Sequence, residues 1–315
     1  MPFDIKLNGE LGYPDAASAS AARASMLAGR EGNPALEASR IDGTALHLSF
    51  AGELSFANAS ARVDEIEFGV AEALEAAITG SVTYEGEGGY RRVRHALGRE
   101  FWAKRWREKQ IGFHEGAPNE LLTHHVERVE ATKEGRPLRV LVPLAGKTVD
   151  MSWLAERGHE VVGIEAVWEA VRAFFDEQEL DPPVTELGPY RALRHGNVTL
   201  ACGDFFAASE NQVHLGRFDV VYDRAALVAL EPTLRARYRD TCKSLLADDG
   251  VTFLVTFAYD QKLTHGPPWS VDEAAVRALF AGRAIERLET RTIPPTKRLA
   301  DAGLTVIEEA AFLIA

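Results

Sequence analysis

The stretch LRVLVPLAGKTVDMSWL, residues 138–154, contains the pattern on which the fold is built. It begins with a continuous apolar run, LRVLVPL (138–144), which is typical of a parallel strand buried on both faces. A short loop with the letters AGKT follows, and VDMSWLAERG (149–158) then predicts a helix that its final glycine ends. HEVVGIE (159–165) predicts a second strand, so this part of the chain is a strand–helix–strand unit.

The same alternation continues toward the C-terminus. Apolar runs predict three further strands, at residues 198–204, 218–224 and 250–260. Helical spacing predicts five helices around the strands, at residues 97–110, 120–129, 167–180, 234–246 and 272–281. Two last strand-like runs, 285–293 and 304–314, suggest an antiparallel hairpin at one edge. We therefore predict an α/β protein with a Rossmann-like, doubly wound sheet that is mostly parallel.

Residues 1–95 have a different texture, with Ala/Ser/Gly-rich patches and modest apolar runs. Strands are predicted at 44–52 and 80–87, and a helix at 61–79, which together indicate a small α+β module. EGEGGY (85–90) has the composition of a hinge or turn. The predicted domains are thus 1–95 and 96–315. Three roles stay open for the first: self-association, a second specificity, or a cover that narrows the entrance to the site.

Composition excludes several classes of protein. The formal net charge of −12 opposes a nucleic-acid binder, since such binding depends on basic patches that neutralise phosphates. No apolar run reaches the roughly 20 residues of a membrane span, and the N-terminus lacks the order of a signal peptide. Two cysteines, Cys202 and Cys242, make no disulfide framework, so we expect a cytoplasmic protein without nucleic-acid or membrane partners.

The letters GKT after a strand raise the question of a phosphate-binding loop. That loop requires G-x-x-x-x-G-K-[ST], because its first glycine lets the backbone fold around the phosphates. Leu141 holds the first-glycine position here and lies within the predicted strand, although FDVVYD (218–223) resembles a strand ending in a magnesium-binding aspartate. We therefore set a triphosphate site aside.

A nucleoside site explains more residues. In such folds an acidic residue about 20 positions after the first loop holds the ribose hydroxyls, and Glu165 lies at about that distance from Gly146. A surface carboxylate at a strand end is the alternative explanation of Glu165. Spacing alone admits NAD or S-adenosylmethionine, but the loop lacks a full G-x-G-x-x-G for a pyrophosphate, which favours S-adenosylmethionine.

Four ordered motifs over residues 97–315 resemble the thiopurine S-methyltransferase family. They are FWAKRWREKQIGFHE (101–115), VPLAGKTVDMSWLAERGHEVVGIE (142–165), FDVVYDRAALVAL (218–230) and TFAYDQKLTHGPPWSV (256–271). They are similar to the family's W-x-x-x-W with G-x-x-x-F-H, the latter relaxed here to QIGFH (110–114), its PLCGK signature, its DRGALVA segment and its GPPF segment. The resemblance implies a class I methyltransferase sheet, with S-adenosylmethionine as methyl donor and S-adenosylhomocysteine as product.

The resemblance also implies roles for individual residues. The implied cofactor-binding residues are Trp102, Trp106, Phe113, Leu144, Gly146, Glu165, Asp204, Phe205 and Arg224. Among them, Glu165 would hold the ribose, Asp204 and Phe205 would flank the adenine, and Leu144 and Gly146 would lie under the methionine part. The implied acceptor-site residues are Phe113, Pro267, Pro268 and Trp269.

The chain departs from the family pattern at three positions. Ala145 replaces a Cys, and Trp269 replaces a Phe, which we expect to narrow the acceptor pocket. Ala225 replaces the Gly of DRGAL, so we expect the backbone there to avoid positive φ. Near the C-terminus, Lys297 and Arg298 correspond to basic residues that mammalian members carry over the substrate.

Methyl transfer is an in-line displacement that depends mainly on alignment, and aromatic faces such as those of Trp102 and Trp106 can stabilise a sulfonium. A thiol with a pKa near 8.5 needs little help from a base, and a nearby cation increases its ionised fraction. Arg224, with its neighbour Asp223, is the predicted catalytic pair, and a salt bridge between the two is the alternative explanation.

No metal site is predicted. The adjacent residues His124 and His125 should face different directions on a helix, and no carboxylate–histidine set, His114 included, has zinc spacing.

The predicted function is S-adenosylmethionine-dependent methylation of the sulfur of a small thiol, sulfide or thiopurine-like heterocycle. A halide or selenium methyltransferase of the same fold is the first alternative, since it differs mainly in acceptor size. A non-catalytic S-adenosylmethionine-binding regulator is the second. Retention of Gly146 and Glu165 opposes it.

Overall fold

A computed structural model describes residues 3–54, 59–77, 79–86, 90–95, 98–264 and 266–315. The chain divides into two compact units, Met1–Gln110 and Ile111–Ala315. The family-like helix Arg99–Arg107 falls in the first unit, where it packs against helix Ala59–Ala76.

The N-terminal unit is an antiparallel sheet with helices. Its described strands are β1 Phe3–Gly12, β2 Arg40–Asp42, β3 Ala45–Leu54, β4 Thr79–Gly86 and β5 Tyr90–His95, in the order β2-β3-β1-β4-β5. Its described helices are α1 Ala16–Leu27, α2 Pro34–Glu37, α3 Ala59–Ala76 and α4 Arg99–Arg107.

Alternating apolar residues in the strands explain how this unit forms its core. Ile5, Leu7 and Leu11 point to one face of β1, where they share a core with Ile66 and Val70 of α3. The predicted α+β class, strands and helix are confirmed. Of the predicted turn EGEGGY, residues 87–89 lie outside the described residues.

The second unit contains a large mixed sheet. Its described strands are β6 Arg139–Pro143, β7 Glu160–Glu165, β8 Val184–Leu187, β9 Tyr190–His195, β10 Val198–Cys202, β11 Phe218–Arg224, β12 Leu246–Ala258, β13 Ile285–Ile293 and β14 Ile307–Ile314. Its described α-helices are α5 Glu120–Glu130, α6 Asp150–Glu156, α7 Trp168–Asp176, α8 Gln212–Leu215, α9 Ala226–Ala229, α10 Arg235–Leu245, α11 Glu273–Leu279 and α12 Lys297–Asp301. Its short 3₁₀ turns are Ala131–Lys133, Phe205–Asn211, Pro232–Leu234 and Gln261–Leu263.

The strand order is β13-β14-β12-β11-β6-β7-β10-β9-β8. The strands from β12 to β10 are parallel, and both edges are antiparallel. The predicted doubly wound sheet and C-terminal hairpin are therefore confirmed. The hairpin of β8 and β9 was not predicted, because β8 is mostly exposed and has no apolar alternation.

The sequence of strand β6 is mostly apolar because both faces of the strand are buried. Val140 and Val142 point into a core shared with α5, α6 and α7, whereas Leu141 points into a second core shared with α9, α10 and α11. Helices thus cover both faces of the sheet, and the loops after the parallel strands gather at one edge. Within the described part of the chain, no helix is both long and apolar enough to cross a membrane.

Candidate active site

The site lies where the strand order reverses, since β6 has β7 on one side and β11 on the other. Ligands of open α/β sheets bind in the crevice at this switch point, outside the carboxyl ends of the strands. Two residues of the loop after β6 have left-handed backbone, Leu144 at φ +47° and Gly146 at φ +54°. Such a conformation in a leucine is costly, and strain of this kind concentrates at ligand sites.

Glu165 ends β7 beside this loop and is only 7% exposed. Its carboxylate oxygens accept hydrogen bonds from the N–H groups of Gly146 and Val167, each at 2.8 Å. Burial raises the pKa of the Glu165 carboxyl, against the effect of the backbone N–H groups. A carboxylate has about four acceptor sites, so each oxygen keeps room for one further donor. This arrangement fits the two hydroxyls of a ribose.

Asp204 and Phe205 follow β10 at the same edge of the sheet. The Asp204 carboxylate is exposed and accepts the N–H of Phe206 at 2.8 Å. The Phe205 ring is buried against Tyr238, with 5.3 Å between ring centroids. The Phe205 side chain therefore belongs to the core, and its predicted role beside the adenine stays a prediction.

Asp223 and Arg224 end β11 and point to different partners. The buried Asp223 carboxylate accepts the N–H groups of Ala226 at 3.0 Å and Leu227 at 3.2 Å, and the Tyr238 hydroxyl at 2.7 Å. Burial raises the pKa of Asp223 to about 6. Asp223 thus holds the turn that follows β11, and the salt bridge to Arg224 considered from the sequence is not formed.

Arg224 instead binds the segment before α5. Its guanidinium donates to the Phe113 carbonyl at 3.0 Å and forms an ion pair with Glu115. The Arg224 side chain is 9% exposed, whereas that of Glu115 is 45% exposed. The buried Nε of Arg224 has no hydrogen-bond partner within the described ranges. A buried cation is therefore neutralised by a carboxylate that can move into solvent.

The expectation that Ala225 avoids positive φ is wrong. Ala225 lies at φ +74°, in the left-handed region. The Asp223 carboxylate accepts hydrogen bonds from the first two N–H groups of α9, and these bonds hold the turn in this shape. The conformation therefore persists although an alanine replaces the family's glycine.

Asp150, at the start of α6, is a central residue that sequence reasoning missed. Its buried carboxylate accepts the Asn119 N–H at 2.7 Å, the Thr148 hydroxyl at 2.9 Å and the Tyr222 hydroxyl at 2.8 Å. It ties the start of α5, the loop after β6 and the strand β11 together. The available signal was an acidic residue beside the apolar start of a helix.

Lys147 and His114 are two further ionisable residues near these strand ends. The Lys147 side chain is 8% exposed and forms an ion pair with Glu177, at the end of α7. His114 lies next to Phe113, which is 38% exposed. The segment that carries His114 is held to β11 by Arg224, and it bears an aromatic and an ionisable side chain next to the site.

The segment Gly266–Trp269 has a fixed shape. Trp269 is 8% exposed, and its backbone N–H donates to the Val228 carbonyl at 2.6 Å. A Cβ on Gly266 would clash with the Trp269 ring. The carbonyl of Pro268 accepts the Tyr259 hydroxyl, and that of Pro267 accepts Arg298. Arg298 is thus beside the predicted acceptor segment.

Trp102 and Trp106 lie one turn apart on α4, in the N-terminal unit. The rings of Phe101 and Trp102 meet edge to face, 5.2 Å apart. The roles of both tryptophans toward the cofactor stay predictions.

His124 and His125 both contact one Glu289 oxygen, at 3.3 and 2.8 Å, so the expectation that they face different directions is wrong. Among the described residues, no group of three or more His, Cys, Asp or Glu side chains could hold a metal.

Comparisons with known proteins identify one family. A family model described as "Thiopurine S-methyltransferase (TPMT)" matches residues 97–315. Thiopurine S-methyltransferase of Pseudomonas fluorescens is 41% identical over 218 residues, covering 68% of this chain and 97% of the relative. The Photobacterium profundum protein of the same name is 40% identical over 215 residues, covering 68% and 97%.

Solved structures match at lower similarity. Magnesium protoporphyrin IX methyltransferase of Synechocystis has a TM-score of 0.44 at 14% identity, covering 69% of this chain and 97% of that one. The Burkholderia thailandensis 1,6-didemethyltoxoflavin-N1-methyltransferase has a TM-score of 0.43 at 17% identity, covering 69% and 87%.

The sheet and the family match together define the class of protein as a Rossmann-like, S-adenosylmethionine-dependent methyltransferase. The extent of the family match and the identity to its members go further: the chain belongs to the thiopurine S-methyltransferase family. The predicted family, fold class and methyl donor are confirmed.

Proposed function

We propose that this protein transfers a methyl group from S-adenosylmethionine to the sulfur of a small thiol, sulfide or thiopurine-like heterocycle. One observation carries the proposal: the buried Arg224 guanidinium at the switch point, whose partner Glu115 is half-exposed. An incoming anion can replace Glu115 beside Arg224 at a modest cost, because the displaced carboxylate returns to water.

A cation in this position suits a thiol. A free thiol is only a few per cent ionised at neutral pH, and an opposite charge within a few ångströms favours the thiolate.

The residues that would hold the methyl donor fit its chemistry. Glu165 would accept the ribose hydroxyls, the turn at Leu144 and Gly146 would lie under the methionine part, and Asp204 would lie beside the adenine. When bound, the donor supplies an activated methyl on a sulfonium. The protein aligns the acceptor with that methyl and excludes water, which is mainly a proximity effect. We propose that Phe113, Pro267, Pro268 and Trp269 border the acceptor.

The test is turnover with a panel of acceptors. Wild-type protein is incubated with S-adenosylmethionine and alkyl thiols, aromatic thiols, sulfide, selenide or iodide, and methylated products are identified by mass spectrometry. We expect methyl thioethers. We also expect Arg224→Met to reduce kcat/KM for thiols by roughly 10²-fold, the effect of removing one electrostatic group from a site.

Arg128→Met is the matched control, because Arg128 is an exposed arginine that also pairs with a carboxylate, Glu286, on the surface. Methylation of iodide without any thiol would contradict the proposal, and so would binding of the donor without turnover of any acceptor.

We further propose that residues 1–95 form a module added to the methyltransferase domain 96–315, and that this module narrows the acceptor entrance. Its own hydrophobic core supports a separate module. The match takes up 97% of the Pseudomonas fluorescens relative, which leaves that protein no room for such a module. A truncated chain starting at Gly98 should accept bulkier thiols than the full chain. An unchanged acceptor profile in a folded truncated chain would exclude this role.

A further inference from the structure

His114 lies between two residues that are tied to Arg224. The carbonyl of Phe113 accepts the Arg224 guanidinium at 3.0 Å, and the carboxylate of Glu115 pairs with it. The backbone N–H of His114 donates to the Ile111 carbonyl at 2.8 Å, which closes a turn in this segment. These contacts hold the backbone of His114 beside the end of β11, and the residue is half-buried.

Four charged groups act electrostatically on the His114 imidazole. Two are cations, Lys147 of the loop after β6 and Arg224 of β11, and two are carboxylates, Glu177 after α7 and Glu115 of the same segment. In the described part of the chain, no hydrogen bond to either ring nitrogen of His114 is found. Half-buried polar atoms that lack a structural partner at a strand-end crevice are available to a ligand.

The charge state of the ring suits proton acceptance. Burial lowers the pKa of His114, Lys147 and Arg224 lower it further, and Glu177 and Glu115 oppose them. A lowered pKa favours the neutral imidazole, which has a nitrogen lone pair to offer.

We propose that His114 is a catalytic base that accepts the proton of the acceptor thiol. The inference rests on the proposed S-methylation and extends it to acceptors that are not ionised in solution.

The S–H bond breaks, its proton moves to a ring nitrogen of His114, and the electron pair stays on sulfur. That sulfur then forms a bond to the methyl carbon as the bond from this carbon to the sulfonium breaks, which leaves two neutral thioethers. The imidazolium, next to Glu115 and Glu177, afterwards loses its proton to water. Arg224 and Lys147 stabilise the thiolate during its short life.

The first experiment compares two thiols at pH 7 in wild type and His114→Gln. One is an alkyl thiol with a pKa of about 8.5 or above, and the other is a nitro-substituted aromatic thiol that is already ionised. We expect kcat/KM for the alkyl thiol to fall by about 10²-fold, the usual contribution of a general base. The ionised thiol should lose less than about tenfold. His124→Gln, which changes an exposed imidazole on α5, should affect neither thiol.

The second experiment needs no turnover. An aromatic thiol without a nitro group is bound to the protein together with S-adenosylhomocysteine. Its ionised fraction is then measured from the thiolate absorbance as the pH is varied. Wild type should ionise the bound thiol with a proton kept on the protein, and His114→Gln should move the apparent pKa of the thiol upward.

Equal losses for both thiols, or an unchanged thiolate titration, would overturn the role of His114 and leave S-methylation standing. Turnover of iodide without any thiol would overturn the proposed function, and this inference with it, because a halide has no proton to remove.

Discussion

Strands β7 and β11 flank β6 on opposite sides, and each ends in a buried carboxylate, yet the two are bonded differently. Glu165 takes its two hydrogen bonds from the backbone of the loops that frame the crevice, and 7% of the residue still reaches the surface. Asp223 takes three, one of them from the core residue Tyr238, and is 1% exposed. The first carboxylate keeps acceptor capacity beside the crevice, whereas the second holds the turn that follows Arg224.

Among variants of the two carboxylates, Glu165 and Asp223, the largest loss of stability should come from Asp223→Ala. It leaves two N–H groups and a hydroxyl without their acceptor in a closed site, so we expect the free energy of unfolding to fall by about 3–5 kcal/mol. Urea unfolding would measure this. Tyr238→Phe, which removes one of the three donors, should cost clearly less. A similar cost for both variants would mean that the turn is held by other contacts.

Glu165→Ala should act mainly on the ligand. Affinity for S-adenosylhomocysteine, measured by calorimetric titration, should weaken by about 1–3 kcal/mol, the cost of unsatisfied hydrogen-bonding groups. The loss of stability should be smaller than for Asp223→Ala. Full affinity in this variant would contradict a ribose contact, and binding of ATP in place of the cofactor would revive the phosphate-loop interpretation.

The pH dependence of stability should distinguish Asp223 from an ordinary surface carboxylate. Its pKa in the folded state is raised to about 6 by burial, above the unfolded value of about 3.9. The folded state then binds more protons in this range, so this stability contribution is present below pH ~4 and is lost as pH rises through ~6.

We expect the unfolding free energy of wild type, relative to Asp223→Asn, to fall by roughly 1–2 kcal/mol between pH ~4.5 and ~7. Urea unfolding of both proteins across this range gives the difference. A difference that rises with pH would show that hydrogen bonding, not burial, dominates the titration of Asp223.

The smallest effect should come from Ala225→Gly. A left-handed alanine costs about 1–2 kcal/mol, and glycine gives back about 0.5–1 kcal/mol through its greater freedom in the unfolded chain. We expect a gain of about 0.5 kcal/mol in unfolding free energy. Ala226→Gly, within the adjacent helix α9, should instead destabilise. A loss at both positions would contradict a strained Ala225.

The local features of the sheet could be predicted from the sequence. The apolar run of β6 and the position of Glu165 depend on short-range pattern, and both came out as expected. The hairpin of β8 and β9 was missed because an exposed edge strand needs no apolar alternation. The turn at Ala225 was misjudged because its shape depends on the side chain of Asp223.

Side-chain partners were harder to predict than strands. Arg224 has an acidic neighbour in the sequence, and a salt bridge between the two was a reasonable alternative. In the fold Asp223 is already used by α9 and Tyr238, so the guanidinium turns to a segment 111 residues earlier in the chain. Asp150 was missed for the same reason, since its partners Asn119 and Tyr222 are 31 and 72 residues away.

The sequence by itself determined the doubly wound sheet, the family and the methyl donor, because apolar periodicity and ordered motifs are properties of neighbouring residues. Only the tertiary structure decided which buried carboxylate keeps acceptor capacity beside the crevice and which one holds a turn. It also brought Arg224, at the end of β11, into contact with the segment that carries His114. The physical reason is that burial and hydrogen-bond saturation depend on groups that are distant in sequence and meet only when the sheet has formed.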